Sequence, residues 1–302
     1  LPGVLITGPP RHRRSSRGNA VNVDLAAASA YGIPVINTPG RNADAVADLT
    51  VAYMLMLARR MPGSSDFLKH GQVKAGDMAK MGEAYLKYQG RELWRKTVGL
   101  VGMGSVAACV AARLIGFGAK VVFYDPMVTA EAGALLLARK VSFEELLAIS
   151  DFVSIHAPAV EATKGMMNRA AFERMQTGAF FINTARASLV DDSALLWALE
   201  SGKLAGAALD VFSIEPPGTD DPIVSHPNVI ATPHLGGNTA EIAAHQGAIA
   251  IDQIKKLLAG ERPEHILNPE VLEAFSWSAP RIEPDEKKRE ELSKNKRPSM
   301  TS

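Results

Sequence analysis

Between residues 97 and 231 the chain alternates short β-branched runs with segments whose apolar residues recur every three or four positions. Thr97–Val101, Lys120–Tyr124, Phe152–Ile155, Ala179–Asn183, 207–211 and Val229–Ala231 read as strands. Helical spacing falls at 106–116, Phe143–Ile149, 170–175 and 192–201, the last stopped by Gly202. Strands that are apolar on both faces, each followed by a helix, predict a parallel sheet covered on both sides. Ahead of this block, 45–60 reads as a long apolar helix that ends at Pro62, and a polar, Met-rich stretch then runs to Trp94. Behind it, 239–258 has helical spacing and stops at Gly260.

The pattern predicts an α/β protein with a doubly wound parallel sheet over 43–237. Residues 1–42 and the return segment 238–275 are left to form a second, smaller domain. From Arg281 to Ser302 there are seven basic and five acidic residues and almost nothing apolar, so 276–302 reads as a solvated, disordered tail.

Composition narrows the partners more than the fold. At 302 residues, 47% hydrophobic and 22% charged, the chain is ordinary for a globular α/β protein. A formal net charge of +1 argues against a nucleic-acid or anionic-membrane partner. No apolar run reaches the roughly 18 residues a spanning helix needs. The one cysteine, Cys109, cannot close an internal disulfide, and residues 1–7 lead into prolines and arginines and not into a secretory leader. A cytoplasmic enzyme is the expectation.

The first candidate chemistry lies after Thr97–Val101, at Gly102-Met103-Gly104-Ser105-Val106-Ala107. This is the dinucleotide turn with alanine in its third place: Gly102 for the turn, Gly104 for close approach to a pyrophosphate, Ala107 for packing. Ser105 and Val106 open the helix whose free N–H groups would face the phosphates. Taken alone, such a turn is as often only a turn. Its strand–turn–helix setting strengthens it, as does Asp125, 23 positions on at the end of the next strand. A carboxylate there accepts ribose hydroxyls and repels an added phosphate, so NAD is favoured over NADP.

Three polar residues follow later strands: Arg186, Glu215 and His234. Reduction of a keto acid uses this set. Arginine grips a carboxylate and polarises the carbonyl beside it, histidine moves a proton, and a neighbouring carboxylate keeps the imidazole charged. Bland readings stand beside each: a surface arginine, a solvated loop glutamate, and His156 as a rival histidine at another strand end. No His/Cys/carboxylate cluster has metal-ligand spacing, and no nucleophile elbow is present.

With these residues in view the chain resembles the D-2-hydroxyacid dehydrogenase family, which has phosphoglycerate dehydrogenase among its members. The matching segments are Asn22-Val23-Asp24-Leu25, Gly32-Ile33-Pro34-Val35-Ile36-Asn37-Thr38-Pro39-Gly40 and Ala45-Val46-Ala47-Asp48, followed by the glycine turn. Further on come Ile182-Asn183-Thr184-Ala185-Arg186, Ala208-Leu209-Asp210-Val211-Phe212 with Glu215-Pro216, and Thr232-Pro233-His234-Leu235-Gly236-Gly237. The resemblance implies that Arg186, Glu215 and His234 are the catalytic trio acting on a small 2-hydroxy or 2-keto acid. It places His156, Pro158, Thr184, Ala185, Asp210, Gly236 and Gly237 at the cofactor, and Gly18, with Arg17 beside it, at the substrate. It also implies a flavodoxin-like substrate domain built from the two chain ends, and a homodimer through 45–60 and Tyr85-Leu86-Lys87-Tyr88.

Two departures set further expectations. Ala187 stands where the family usually has glycine, which is harmless if its φ is negative. Only residues 1–15 precede the loop matching 16–24, where the family has several β-α units, so an incomplete substrate domain is expected. The competing function is then an NAD-binding but catalytically impaired or regulatory remnant. A formate dehydrogenase reading fits less well, because those enzymes carry glutamine where this chain has Glu215.

Overall fold

The computed structural model describes residues 5–7, 23–71 and 73–275. Arg17 and Gly18, expected at the substrate, and the tail 276–302 lie outside the described residues. Two units emerge: 1–41 with 240–302, and 42–239.

In the first unit β1 (Leu5–Thr7) pairs in parallel with β2 (Val35–Asn37), and α1 (Leu25–Ala30) lies between them in the chain. Asp24 caps α1 by accepting the Ala27 N–H at 2.9 Å. Buried Asn268 spans the turn into β2, accepting from Val35 N at 2.8 Å and donating to Ile33 O at 2.9 Å.

The second unit opens with α2 (Ala43–Ala58), α3 (Met61–His70) and α4 (Met78–Lys87). The helix expected over 45–60 does stop ahead of Pro62, at Ala58, and Pro62 also stands in the first turn of the next helix. The chain turns through left-handed Arg60, and proline fits a first helical turn because that N–H has no helical partner. The Met-rich stretch is α3 and α4, neither of which buries a residue. There follow β3 (Thr97–Val101), α5 (Ser105–Gly116), β4 (Lys120–Tyr124), α6 (Ala130–Ala134), β5 (Ala138–Lys140), α7 (Phe143–Ile149) and β6 (Phe152–Ile155). The unit closes with α8 (Arg169–Arg174), β7 (Ala179–Asn183), α9 (Asp192–Glu200), β8 (Leu204–Leu209) and β9 (Val229–Ala231). The last helix, α10 (Ile242–Leu258), returns to the first unit.

The seven strands form one parallel sheet in the order β5-β4-β3-β6-β7-β8-β9. Side chains alternate between two cores, as period-2 geometry requires. Val101, Val153, Ile155 and Phe181 go to one face, and Val98, Leu100, Phe152 and Ile182 to the other. Because β3 lies between β4 and β6, connections leave it in opposite directions, which opens the crevice where such sheets bind ligands. α2, offered from sequence as a dimer face, buries Ala47, Met54 and Leu57 in the second of these cores.

Candidate active site

The glycine turn stands at the carboxyl end of β3, beside the crevice. Gly102 has φ +91°, and a Cβ on it would lie 2.7 Å from the Ala157 nitrogen, so the turn excludes any side chain there. Asp125, at the tip of β4, gathers the surrounding backbone. One carboxylate oxygen accepts Met103 N–H at 2.8 Å, and the other accepts Met127 and Val128 N–H at 2.8 and 3.2 Å. Gly104 caps α5, whose first residues are Ser105 and Val106, and a Cβ on it would meet no heavy atom within 4 Å. Open space thus lies beside the start of α5, where the first N–H groups have no partner within the helix. That geometry suits a pyrophosphate.

His156 follows β6. Its Nε2 lies 3.0 Å from Ser154 Oγ, and burial pulls its pKa down to about 4, so it is neutral near pH 7. What separates the two histidines in geometry is the partner: Ser154 Oγ lies beside His156, whereas the Glu215 carboxylate lies beside His234. Pro158, two residues on, is exposed.

β7, β8 and β9 end in register, Asn183 beside Leu209 and Leu209 beside Ala231, so the loops that follow start in a row. Buried Asn183 shapes the first loop. It accepts Ala185 N–H at 3.0 Å and donates to Arg186 O at 2.9 Å, an Asx turn that fixes the backbone on both sides of the arginine root. One guanidinium nitrogen of half-buried Arg186 donates to Ala185 O. Ala187 begins a 3-10 turn and is not among the residues with positive φ, so its methyl group is harmless to the backbone. Thr184 is buried against Thr50.

Asp210, directly after β8, is almost fully buried. It accepts the Thr232 hydroxyl and the N–H groups of Leu235 and Gly236, each of the latter at 2.7 Å. These donors bracket His234, whose φ of 58° is uncommon for any residue but glycine. Glu215 completes the group: Phe212 N–H holds one oxygen at 3.0 Å, and the other lies 3.0 Å from His234 Nδ1. The carboxylate is 12% exposed and the imidazole 36%, so the pair sits at the mouth of the site, not in the core. Gly237, last of the motif, is exposed.

Glu215 and His234 are therefore in contact, and Arg186 stands on the neighbouring strand's loop. Sequence reasoning passed over Asn183, although an asparagine closing a strand before a polar turn is a recognisable signal. Thr232 was quoted only as part of a motif. Among the described residues there is no group of three His, Cys, Asp or Glu that could hold a metal ion.

Comparison with known proteins gives the family. A model of the D-isomer specific 2-hydroxyacid dehydrogenase, NAD binding domain, matches residues 51–236. The chain is 41% identical over 241 residues to YoaD of Bacillus subtilis (strain 168), which carries the name of a 2-hydroxyacid dehydrogenase; the match spans 80% of this chain and 68% of that one. It is 38% identical over 256 residues to D-3-phosphoglycerate dehydrogenase of Rattus norvegicus, spanning 84% of this chain and 46% of that protein. The chain thus spans under half the length of that relative. D-lactate dehydrogenase with NAD+ from Lactobacillus jensenii superposes with a TM-score of 0.69 at 27% identity, over 81% of this chain and 74% of that one. The seven-stranded unit is an NAD-binding domain.

Proposed function

We propose, from the premise that the chain belongs to the D-isomer specific 2-hydroxyacid dehydrogenase family, that it interconverts a small D-2-hydroxyacid and its 2-keto acid. NAD, when bound, supplies the hydride chemistry, and the protein's own residues hold the acid and move the proton. Gly104 and the start of α5 would take the pyrophosphate, and Asp125, with one acceptor position to spare, a ribose hydroxyl. The Arg186 fork takes the substrate carboxylate and polarises the adjoining carbonyl.

The proton belongs to His234. Glu215 engages Nδ1, which leaves Nε2 on the far side of the ring for the substrate oxygen. In the reducing direction Nε2 gives its proton to the developing alkoxide, and in the oxidising direction it takes the hydroxyl proton. The 3.0 Å contact between His234 and Glu215, on loops from adjacent parallel strands, is the observation that carries the reading.

The test is NADH oxidation with glyoxylate, hydroxypyruvate and phosphohydroxypyruvate. Turnover of at least one, abolished in His234→Asn while NADH still binds, is the expected result. A protein that binds NADH and reduces none of a wide panel of keto acids would overturn it.

The same reading includes a homodimer. α3 and α4 expose Leu68, Met78, Met81, Tyr85 and Leu86, a run of large apolar side chains of the kind that marks an interaction face. A second copy covering that face would bury it. Sedimentation should show a dimer that Leu86→Glu converts to monomer; a monomeric native protein would remove this part of the proposal.

A further inference from the structure

α2 carries two buried hydroxyls at helical spacing, Thr50 and Tyr53, and a buried hydroxyl needs a partner. Each finds one on a different active-site loop. Thr50 Oγ1 lies 3.1 Å from Thr184 Oγ1, on the loop that carries Arg186. The Tyr53 phenol bonds the hydroxyl of Thr232, two residues before His234.

Counting protons gives both contacts a direction. Thr50 spends its proton on Val46 O at 2.7 Å, so the proton between the two threonines is that of Thr184. Thr232 gives its proton to Asp210, so the one between Tyr53 and Thr232 comes from the phenol. Burial foremost, and the nearby Asp210 charge, raise the Tyr53 pKa far above its ordinary value, outweighing the hydrogen bond to Thr232, and the phenol keeps its proton. The result is a one-way chain from phenol to threonine to carboxylate. It ends where Asp210 also accepts the N–H groups of Leu235 and Gly236. A carboxylate offers about four acceptor positions. Three are filled here, all by donors from the segment that holds His234 in its left-handed turn.

We propose that Tyr53, acting through Thr232 and Asp210, is a positioning residue for the His234 loop, whose role rests on the function proposed above. Without the phenol, Thr232 loses the donor that orients it, and Asp210 is no longer shielded on that side.

The test compares Tyr53→Phe, Thr232→Val, Thr232→Ser and the Tyr53→Phe/Thr232→Val double variant. Three properties are read: amide exchange at Leu235 and Gly236 in the cofactor-free protein, NADH affinity, and kcat against KM. Losing one hydrogen bond should speed exchange at both amides about fivefold in Tyr53→Phe, with the amides of β3 unchanged as the control. In the same variant kcat should fall about fivefold with the KM for keto acid unchanged, and NADH binding should weaken about threefold. Thr232→Val should exceed each effect, and Thr232→Ser should restore them. The double variant should match Thr232→Val alone, because the phenol has already lost its partner. Native exchange and kcat in Tyr53→Phe, or effects that add in the double variant, would overturn the proposal. If the native chain turns over no keto acid, the function proposed above fails, while the exchange rates still decide the role of Tyr53.

Discussion

The row of strand tips is built from two different materials. Around β3, β4 and β6 the polar surface is mostly backbone: the Gly102 turn, the start of α5, and three N–H groups gathered on Asp125. The imidazole there, His156, is held neutral by burial. Around β7, β8 and β9 the surface is charged side chains, and each is oriented by another polar group. Asn183 fixes the root of Arg186, Phe212 N–H holds Glu215, and Glu215 holds His234. On the function proposed above, the difference follows from what each half would handle. A pyrophosphate is a fixed anion, and fixed backbone dipoles match it without reorganising. A proton in transit needs a group that changes charge, and such a group must be aimed.

The comparison breaks most visibly on the side-chain half. His234→Asn should lower kcat about 10³-fold, within the range ascribed to a lost general acid, while NADH affinity stays native. Equal loss of affinity and rate would show that His234 belongs to cofactor binding instead. Glu215→Gln should cost about 10²-fold, because a neutral amide beside Nδ1 cannot offset the positive charge of the imidazolium that delivers the proton. Steady-state rates with a keto acid check both, and a fully active Glu215→Gln would detach the carboxylate from the mechanism.

On the backbone half the sharper tools are two glycines. Gly102→Ala places a methyl group 2.7 Å from the Ala157 nitrogen at φ +91°. It should destabilise the unit by about 2 kcal/mol, from strain and overpacking together. Gly104→Ala meets no atom within 4 Å at φ −77°, so stability should hold while NADH affinity falls. Chemical denaturation and calorimetry separate the pair. An unchanged affinity in Gly104→Ala would leave the space beside α5 without its assigned ligand.

The backbone half was the more legible from sequence, and for a physical reason. A turn that must reverse the chain around a fixed anion can use few residues besides glycine, so it leaves a spacing that can be read. The strands around it were also readable, because Thr97–Val101, Lys120–Tyr124 and Phe152–Ile155 are rich in β-branched and aromatic residues and are followed by turn residues. β8 was placed late, at 207–211 where it runs Leu204–Leu209, since its early positions Ala205 and Gly206 carry no strand preference. α3 and α4 read only as a polar, Met-rich stretch, although Met78, Met81 and Tyr85 recur at helical spacing along α4 and stay exposed. On the side-chain half the motif exposed Arg186, Glu215 and His234 but hid what aims them. Tyr53 sits in a helix whose apolar character reads as core alone, and only its partner across the fold reveals the second role.

The smallest expected effect tests whether the two halves differ in charge as well as in material. His156 titrates at about 4 when folded against an ordinary 6.5, so the unfolded chain binds the extra proton between these values. Stability should therefore be complete above pH 6.5, fall as pH drops through that window, and level off below about 4. Linkage sets a ceiling of about 2 kcal/mol lost by pH 5, and partial solvent access to the ring brings the expectation to about 1 kcal/mol. His156→Gln keeps a hydrogen-bonding group near Ser154 and removes the titration, so its denaturation midpoint should change less between pH 7 and pH 5 than that of the native protein. Identical pH slopes in the two proteins would mean that the imidazole is as free to charge as one in water. The neutral character of the backbone half would then have to come from elsewhere.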